Sequence, residues 1–414
     1  MLSVIGIITI FLIAGIFIVS WFKINPTLGT ILAVSFALRA IVVLLQELFQ
    51  IAPYTWDEGL FMTMGIKVKH FLDGSRSSLP FRTLAGVPAY GSLLGGLFYL
   101  YEVDTILPRI LNVLFGTGAV FLTWKLSALV GLKNKYCLLM ATIVGFTPSY
   151  ILYSALIMRD MLIWLLLLVL LYLWVKFIQD LDSKSFWIAF IPVAMLTILR
   201  PQYAPVFAII LGFIAFSYAQ RLRFKWKQIS LPGLQYILFS IFLSVVLVGS
   251  IFLILSEIAR WENSDVLDYL VSQHHWRTQG GAAYLIDQEF TNLLDVVWFF
   301  PLRFIHFTFG PFLWNSGSIQ MMASAMEALV GTIFFLLLVF YSPTLFKSNN
   351  SNRLGIILLI VFALINIAAA SIIDSNYGTA MRHRMVFMPF IFMAVLWLRQ
   401  QRIILKQNND SLLI

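Results

Sequence analysis

The segment MRDMLIWLLLLVLLYLWVKFI, residues 158–178, opens on the charged pair Arg159-Asp160 and then stays apolar for the length of a membrane crossing. About 20 such residues in a helix span a hydrocarbon core about 30 Å thick. The strict alternation of a transmembrane barrel is absent, so the crossing reads as a helix. Working outward, clear runs recur at 2–22, 28–51, 105–130, 136–153, 234–256, 324–346, 354–373 and 385–399, with a weaker pair at 186–199 and 201–219. The fold class expected is all-α, a polytopic transmembrane helical bundle of about 11 spans.

Composition agrees with that class. Of 414 residues, 60% are hydrophobic and 11% charged, against about 25% charged in soluble domains. A net charge of +9 raises nucleic acid as a partner. The basic residues, however, fall in short clusters between apolar runs, where the positive-inside rule puts them, so no nucleic acid is expected. Cys137, the one cysteine, excludes an intramolecular disulfide and a cysteine metal centre. The run 2–22 has no basic residue before it and no small-residue cleavage site after it, so a retained helix is expected.

Charge also orients the bundle. Lys133 and Lys135, Lys184, the run Arg221 to Lys227, Lys347 and Arg353, and finally Arg399, Arg402 and Lys406 follow alternate spans. This predicts an outer N-terminus and an inner C-terminus. Three regions follow: a transmembrane core over 1–256 with a first outer loop at 52–104, an extracytoplasmic loop with an aromatic interfacial segment over 257–323, and terminal helices with a short tail over 324–414. Residues 59–73 mix Lys67, Lys69 and His70 with apolar side chains, which suits a helix lying in the interface. Residues 84–101, rich in glycine and proline, are expected as a second interfacial or re-entrant element.

Placed on this topology, one face collects Asp57, Glu58, Arg109, Arg159, Asp160, Arg200, Arg382, His383 and Arg384. Two adjacent acids at a helix mouth are costly unless paired or hydrated. Asp57 is read as the chemical centre, with Glu58 beside it and Asp160 as a second carboxylate. The functional reading admits a divalent cation or a water shared by Asp57 and Asp160, and no other cofactor. Arg109, Arg159, Arg382, His383 and Arg384 are candidates for a lipid phosphate, because guanidinium forks grip phosphate at two points. Each has a plainer alternative: Asp160 complements a helix dipole, and the basic residues meet lipid headgroups. His274-His275 is a poor metal pair, since adjacent side chains point apart on regular structure. No glycine-rich nucleotide loop is present, which disfavours a nucleotide sugar or ATP as direct substrate.

The order of Trp56-Asp57-Glu58, Pro88-Ala89-Tyr90, Pro108-Arg109-Ile110-Leu111-Asn112, Pro148 to Asp160, and Arg382-His383-Arg384 with Pro389 resembles the GT-C class of polytopic glycosyltransferases. The likeness is closest to the group of protein O-mannosyltransferases and lipid A aminoarabinose transferases. It covers residues 28–220 best and the C-terminus loosely. The resemblance implies a sugar donor on polyprenyl phosphate and a glycan, lipid or protein acceptor. Transfer would occur with inversion on the extracytoplasmic face of a bacterial or archaeal plasma membrane. It further implies Asp57 as base toward the acceptor hydroxyl, Asp160 as a second acid, and Arg382 and Arg384 at the lipid phosphate. An added first helix and the lack of a large soluble C-terminal domain depart from the pattern, leaving acceptor recognition to the 257–320 loop. The alternatives are a polysaccharide polymerase and a lipid-linked sugar flippase or transporter.

Overall fold

A computed structural model describes residues 2–52, 56–214, 266–315, 317–348 and 350–411. The expected span 234–256, the basic run 221–227, the acids Glu257, Glu262 and Asp265, and Tyr54 lie outside the described residues. Among the described residues the secondary structure is helical apart from one isolated β-bridge, Ala283 to Asn376. Seven helices among the described residues are long and apolar enough to cross a membrane. The chain is therefore a polytopic helical membrane protein.

The chain divides into two compact units. The first comprises Met1–Leu129, Lys133–Tyr172 and Ile188–Pro201; the second comprises Val130–Leu132, Leu173–Trp187 and Gln202–Ile414.

In the first unit, α1 (Leu2–Ile24) and α2 (Pro26–Phe49) are joined at Asn25, whose side chain caps α2 by accepting from the Leu28 amide at 3.1 Å. Pro26 at the first helical position needs no donor partner there. Then follow α3 (Trp56–Leu72), α4 (Val87–Tyr101) and α5 (Ile106–Leu129), the last capped by Asp104, which accepts from the Ile106 and Leu107 amides at 2.6 and 3.0 Å. Ile10, Phe36, Val43, Leu107, Ile110 and Val113 form a core shared by α1, α2 and α5.

Helices α3 and α4 sit where interfacial elements are expected in the first outer loop. Their contacts advance together, Phe61 with Tyr90, Met64 with Gly91, Val68 with Gly95, so the two run parallel and residues 73–86 return the chain along them. Glycine permits this approach. A Cβ on Gly91 would stand 2.3 Å from Met64 Cγ, and one on Gly95 would stand 2.5 Å from Val68 Cβ. The spacing is that of the small-residue seams that pack membrane helices.

The run expected as one span at 136–153 is broken. Helix α6 (Asn134–Phe146) and helix α7 (Pro148–Ser154) meet at 55°. Pro148 has no N–H, so the Val144 carbonyl loses its donor four residues on. Arg39, on α2 and fully buried, donates to Val144 O at 3.1 Å and to Gly145 O at 2.9 Å. The guanidinium thus stands where a helical amide would have been.

Helix α8 (Asp160–Asp180) follows, then α9 (Ser183–Ile188) and α10 (Phe190–Leu199). The expected span at 186–199 corresponds to a shorter apolar stretch, Ser183–Leu199; of the one at 201–219, residues 201–214 are helical and 215–219 lie outside the described residues. In the second unit, Ile319–Lys347, Arg353–Ile373 and Met388–Ser411 carry the long apolar segments. Helix Leu293–Phe309 packs against the first two of these, and the short helix Tyr377–Arg384 precedes the last.

Arg39→Leu should lower stability by about 2–4 kcal/mol, because two buried carbonyls lose their donor. Pro148→Ala should offset part of that loss by returning an N–H to Val144 O. Thermal unfolding of both single variants, the double variant and the parent in detergent measures the coupling; strictly additive shifts would show the two positions to be unlinked.

Candidate functional site

Helix α3 begins on Asp57 and Glu58, and its first turns meet the connection between α7 and α8. That connection, Ala155 to Met158, is at most 1% exposed, whereas the sequence suggested a short outer turn. A buried irregular backbone must find partners for its polar groups, and side chains from elsewhere provide them. Glu58 Oε1 accepts from the Ile157 amide at 2.8 Å. Asn112 Nδ2 donates to Leu156 O at 2.7 Å and to Met158 O at 2.9 Å.

Glu58 is 2% exposed and takes a second bond from Arg109 Nη2 at 3.5 Å. Arg109 also donates to Glu47. Its charge is therefore set between two carboxylates. Asp160, 1% exposed, accepts from Arg200 Nη2 at 3.0 Å. Arg159 donates to Leu199 O at 2.6 Å, and its guanidinium lies 5.7 Å from the centre of the Phe61 ring. Burial, with the charges of Asp160 and Glu58, holds the Tyr90 hydroxyl well above the usual phenol range. Tyr90 therefore lies in the field of both acids.

The structure thus brings Asp57, Glu58, Arg109, Arg159, Asp160 and Arg200 to one end of the first unit. Asp57 differs from the other acids there in being half-buried. A cation shared by Asp57 and Asp160 fits poorly, because a guanidinium already occupies Asp160. Among the described residues no three His, Cys, Asp or Glu side chains gather as ligands.

Arg382, His383 and Arg384 lie in the second unit. Arg384 is 5% exposed and turns inward, donating to Phe307 O at 3.0 Å, Thr308 O at 3.2 Å and Gly310 O. It closes the C-terminal end of helix Leu293–Phe309. His383 Nδ1 is 2.6 Å from Asp374 Oδ2, and Arg277 donates to Asp374 Oδ1. Asp374 is 1% exposed. Beside it, Arg303, also 1% exposed, donates to Ser375 Oγ at 2.7 Å, Asp374 O at 3.2 Å and Ser371 O at 3.3 Å. Its guanidinium also lies 5.1 Å from the centre of the Phe290 ring. His274 is buried with Nδ1 at 2.8 Å from Ser375 Oγ, while His275 is exposed, so the two rings point apart.

Sequence reasoning passed over Arg39, Asp374 and the pairing role of Arg277. A lone arginine in the apolar run 28–51 is a signal for the first, since an intramembrane charge needs a partner. An acid directly after the apolar run 354–373 is a signal for the second, by the logic applied to Asp57. No known protein-family model matches the chain, and no curated protein matches its sequence.

Glu58→Ala should cost about 3 kcal/mol, because it strands the buried Ile157 amide and takes away one of the two carboxylates of Arg109, whereas Asp57→Asn, at a half-buried position, should cost less. Melting curves of the two variants side by side check this; equal losses would remove the distinction drawn between the two acids.

Acid should weaken the second unit. His274 is pushed below the usual 6.5 by burial and by Arg303, and His306 is pushed below it by burial. As the pH falls past 6.5, the unfolded chain takes up protons that the folded one refuses. The stabilisation is therefore full above that value and is lost below it. Melting temperatures between about pH 7.5 and about pH 5 should fall with acid, and His274→Asn should flatten the slope; a slope unchanged by that variant would count against this origin.

Proposed function

We propose that this chain is an integral membrane glycosyltransferase that moves a sugar from a polyprenyl-phosphate carrier to an acceptor hydroxyl on the extracytoplasmic face, with inversion at the anomeric carbon. One observation carries the reading. Among the carboxylates gathered at the start of α3, Glu58 and Asp160 are sealed at 2% and 1% exposure while Asp57 stays half-buried. A general base must be ionised and within reach of the proton it takes. Glu58 is committed to Ile157 and Arg109, and Asp160 to Arg200. Base chemistry is therefore assigned to Asp57, more accessible than Glu58 and Asp160 and set in the first turn of α3.

In the reaction, Asp57 takes the proton of the acceptor hydroxyl as its oxygen attacks the anomeric carbon. The bond from that carbon to the phosphate oxygen breaks, and its electron pair leaves on the carrier phosphate. A general base contributes about 10²–10⁴ in rate, and stabilisation of developing charge contributes a comparable or larger share. Glu58, Asn112 and Arg200 are positioning residues in this scheme. The acceptor, whether glycan, lipid or protein, arrives from the aqueous side.

The second reading is a transporter of lipid-linked sugars, and the broken α6–α7 pair with Arg39 buried halfway along α2 favours it. Broken helices and ionisable residues at membrane depth mark many transport pathways.

Asp57→Asn should abolish sugar transfer in membranes supplied with lipid-linked donor while leaving expression intact. Mass spectrometry of surface glycans and co-purified lipids from cells with the protein, without it and with the variant reads the outcome. A glycan that gains its sugar equally with the variant would remove Asp57 as base; an unchanged glycan with lipid-linked sugar redistributed across the membrane would favour transport.

A further inference from the structure

At the end of the first unit remote from Asp57, a lysine is held by aromatic rings alone. Lys125 stands about one turn before α5 ends at Leu129 and is half-buried. Its Nζ lies 5.1 Å from the centre of the Tyr172 ring, on α8, and 5.9 Å from that of Phe121. The two helices run side by side up to this point: a Cβ on Gly118 would stand 3.1 Å from Leu165 Cδ1, and the same stagger brings Lys125 to Tyr172. Ring faces attract an ammonium group but accept none of its three N–H bonds. Among the described residues no oxygen accepts from Lys125, and the Tyr172 hydroxyl has no hydrogen-bond partner. Two polar groups at membrane depth thus stand together with their bonds unmade, which is costly in hydrocarbon.

The charge around them has one sign. The acids of the first unit among the described residues are Glu47, Asp57, Glu58, Asp73, Glu102, Asp104 and Asp160. Glu47 meets Arg109, and Asp104 caps the start of α5, with Glu102 just before it. Glu58 meets the turn that leads to Asp160 at the start of α8, Asp57 is its neighbour, and Asp73 holds Lys69 after α3. None of them belongs to the end where α5 finishes. That end carries Lys23, Lys125, Lys133 and Lys135.

Aromatic rings continue the surface along α5 toward α1. Trp21 is 4.7 Å from Phe121 and 5.6 Å from Trp124, and Phe17 is 5.2 Å from Phe121. They offer apolar area beside the two polar groups.

We propose that the face of α5 between α1 and α8 binds one anionic phospholipid, its phosphate bridging Lys125 Nζ and the Tyr172 hydroxyl and its acyl chains lying on Phe17, Trp21 and Phe121. Lysine meets phosphate as a point charge, and the hydroxyl gives the phosphate a second donor. A zwitterionic headgroup fits less well, because its ammonium would enter a cluster of lysines with no acid of the unit to receive it. Free phosphate would leave the aromatic surface uncovered. The site goes beyond the transferase reading and does not depend on it.

The test is native mass spectrometry of the purified full-length protein in detergent, titrated with phosphatidylglycerol, phosphatidylcholine and diacylglycerol of the same chains. Phosphatidylglycerol should bind tightest, with one molecule held more firmly than any further ones. Lys125→Gln should weaken that first binding about tenfold, the share of one charge-assisted pair, and Lys125→Arg should keep most of it. Tyr172→Phe keeps the ring under Lys125 and should weaken binding about fivefold, the share of one hydrogen bond. Lys23→Gln removes the same charge from the same end at an exposed position and should change it less than about twofold. Melting temperatures are taken for each variant, and Tyr172→Phe decides where Lys125→Gln does not fold. Lys125→Gln or Tyr172→Phe binding as tightly as the parent would overturn the site, as would an equal loss in Lys23→Gln, which marks attraction to the surface as a whole. Phosphatidylcholine binding as tightly as phosphatidylglycerol would overturn the anionic assignment. Sugar transfer by an Asp57→Asn protein would sink the base assignment and leave this site standing.

Discussion

Pro148 removes one N–H from the middle of a membrane helix, and much of the first unit is arranged around the consequences. Where backbone cannot hydrogen-bond to water, a break in a helix must be closed by other donors and acceptors. Arg39 takes the carbonyls left by α6, Asn112 takes those of the following connection, and Glu58 takes its amide. Each comes from a different helix, so closing the break also ties α2, α3 and α5 to it. The buried turn before Asp160 is held as firmly as a regular element, and that turn sets Arg159 and Asp160 in place.

The same physical device recurs with arginine. Arg39 meets the end of α6, Arg159 the end of α10, Arg384 the end of helix Leu293–Phe309, and Arg303 the end of helix Arg353–Ile373. A helix C-terminus presents unpaired carbonyls and the negative end of its dipole. A guanidinium with several donors satisfies more than one of them at once. These four arginines are thus first a means of ending helices within apolar surroundings.

This explains what was legible in the sequence and what was not. Helix class and most boundaries followed from apolar length, which is a local property, so α1, α2, α5, α8 and helix Arg353–Ile373 fall close to the apolar runs that announce them. The break in 136–153 was signalled by Pro148, yet a proline in an apolar run kinks, ends or begins a helix with equal ease. Packing partners decided the matter. The gathering of Asp57, Glu58, Arg109, Arg159 and Asp160 at one end of a unit was legible because span ends are countable. Their individual duties were not. Glu58 and Asp57 are neighbours with the same chemistry, and only the position of the Ile157 amide separates an acid that holds a buried turn from one that stays accessible. Arg384 likewise reads as a phosphate ligand in sequence and as a helix cap in the fold, because both duties ask for the same donors.

The two clusters answer buried charge in different ways. In the first unit Arg109 is set between Glu47 and Glu58, and Asp160 holds Arg200, so charge there is met by charge. In the second unit Asp374 takes Arg277 on one carboxylate oxygen and His383 on the other, while Arg303 beside it is met by carbonyl, hydroxyl, amide, imidazole and aromatic groups. A buried charge can be met by dipoles as well as by a counter-ion, provided that its hydrogen bonds are made. Replacing Arg303 by an apolar residue would therefore do more than remove a cap: it would take their donor from the carbonyls of Ser371 and Asp374 and from the Ser375 hydroxyl.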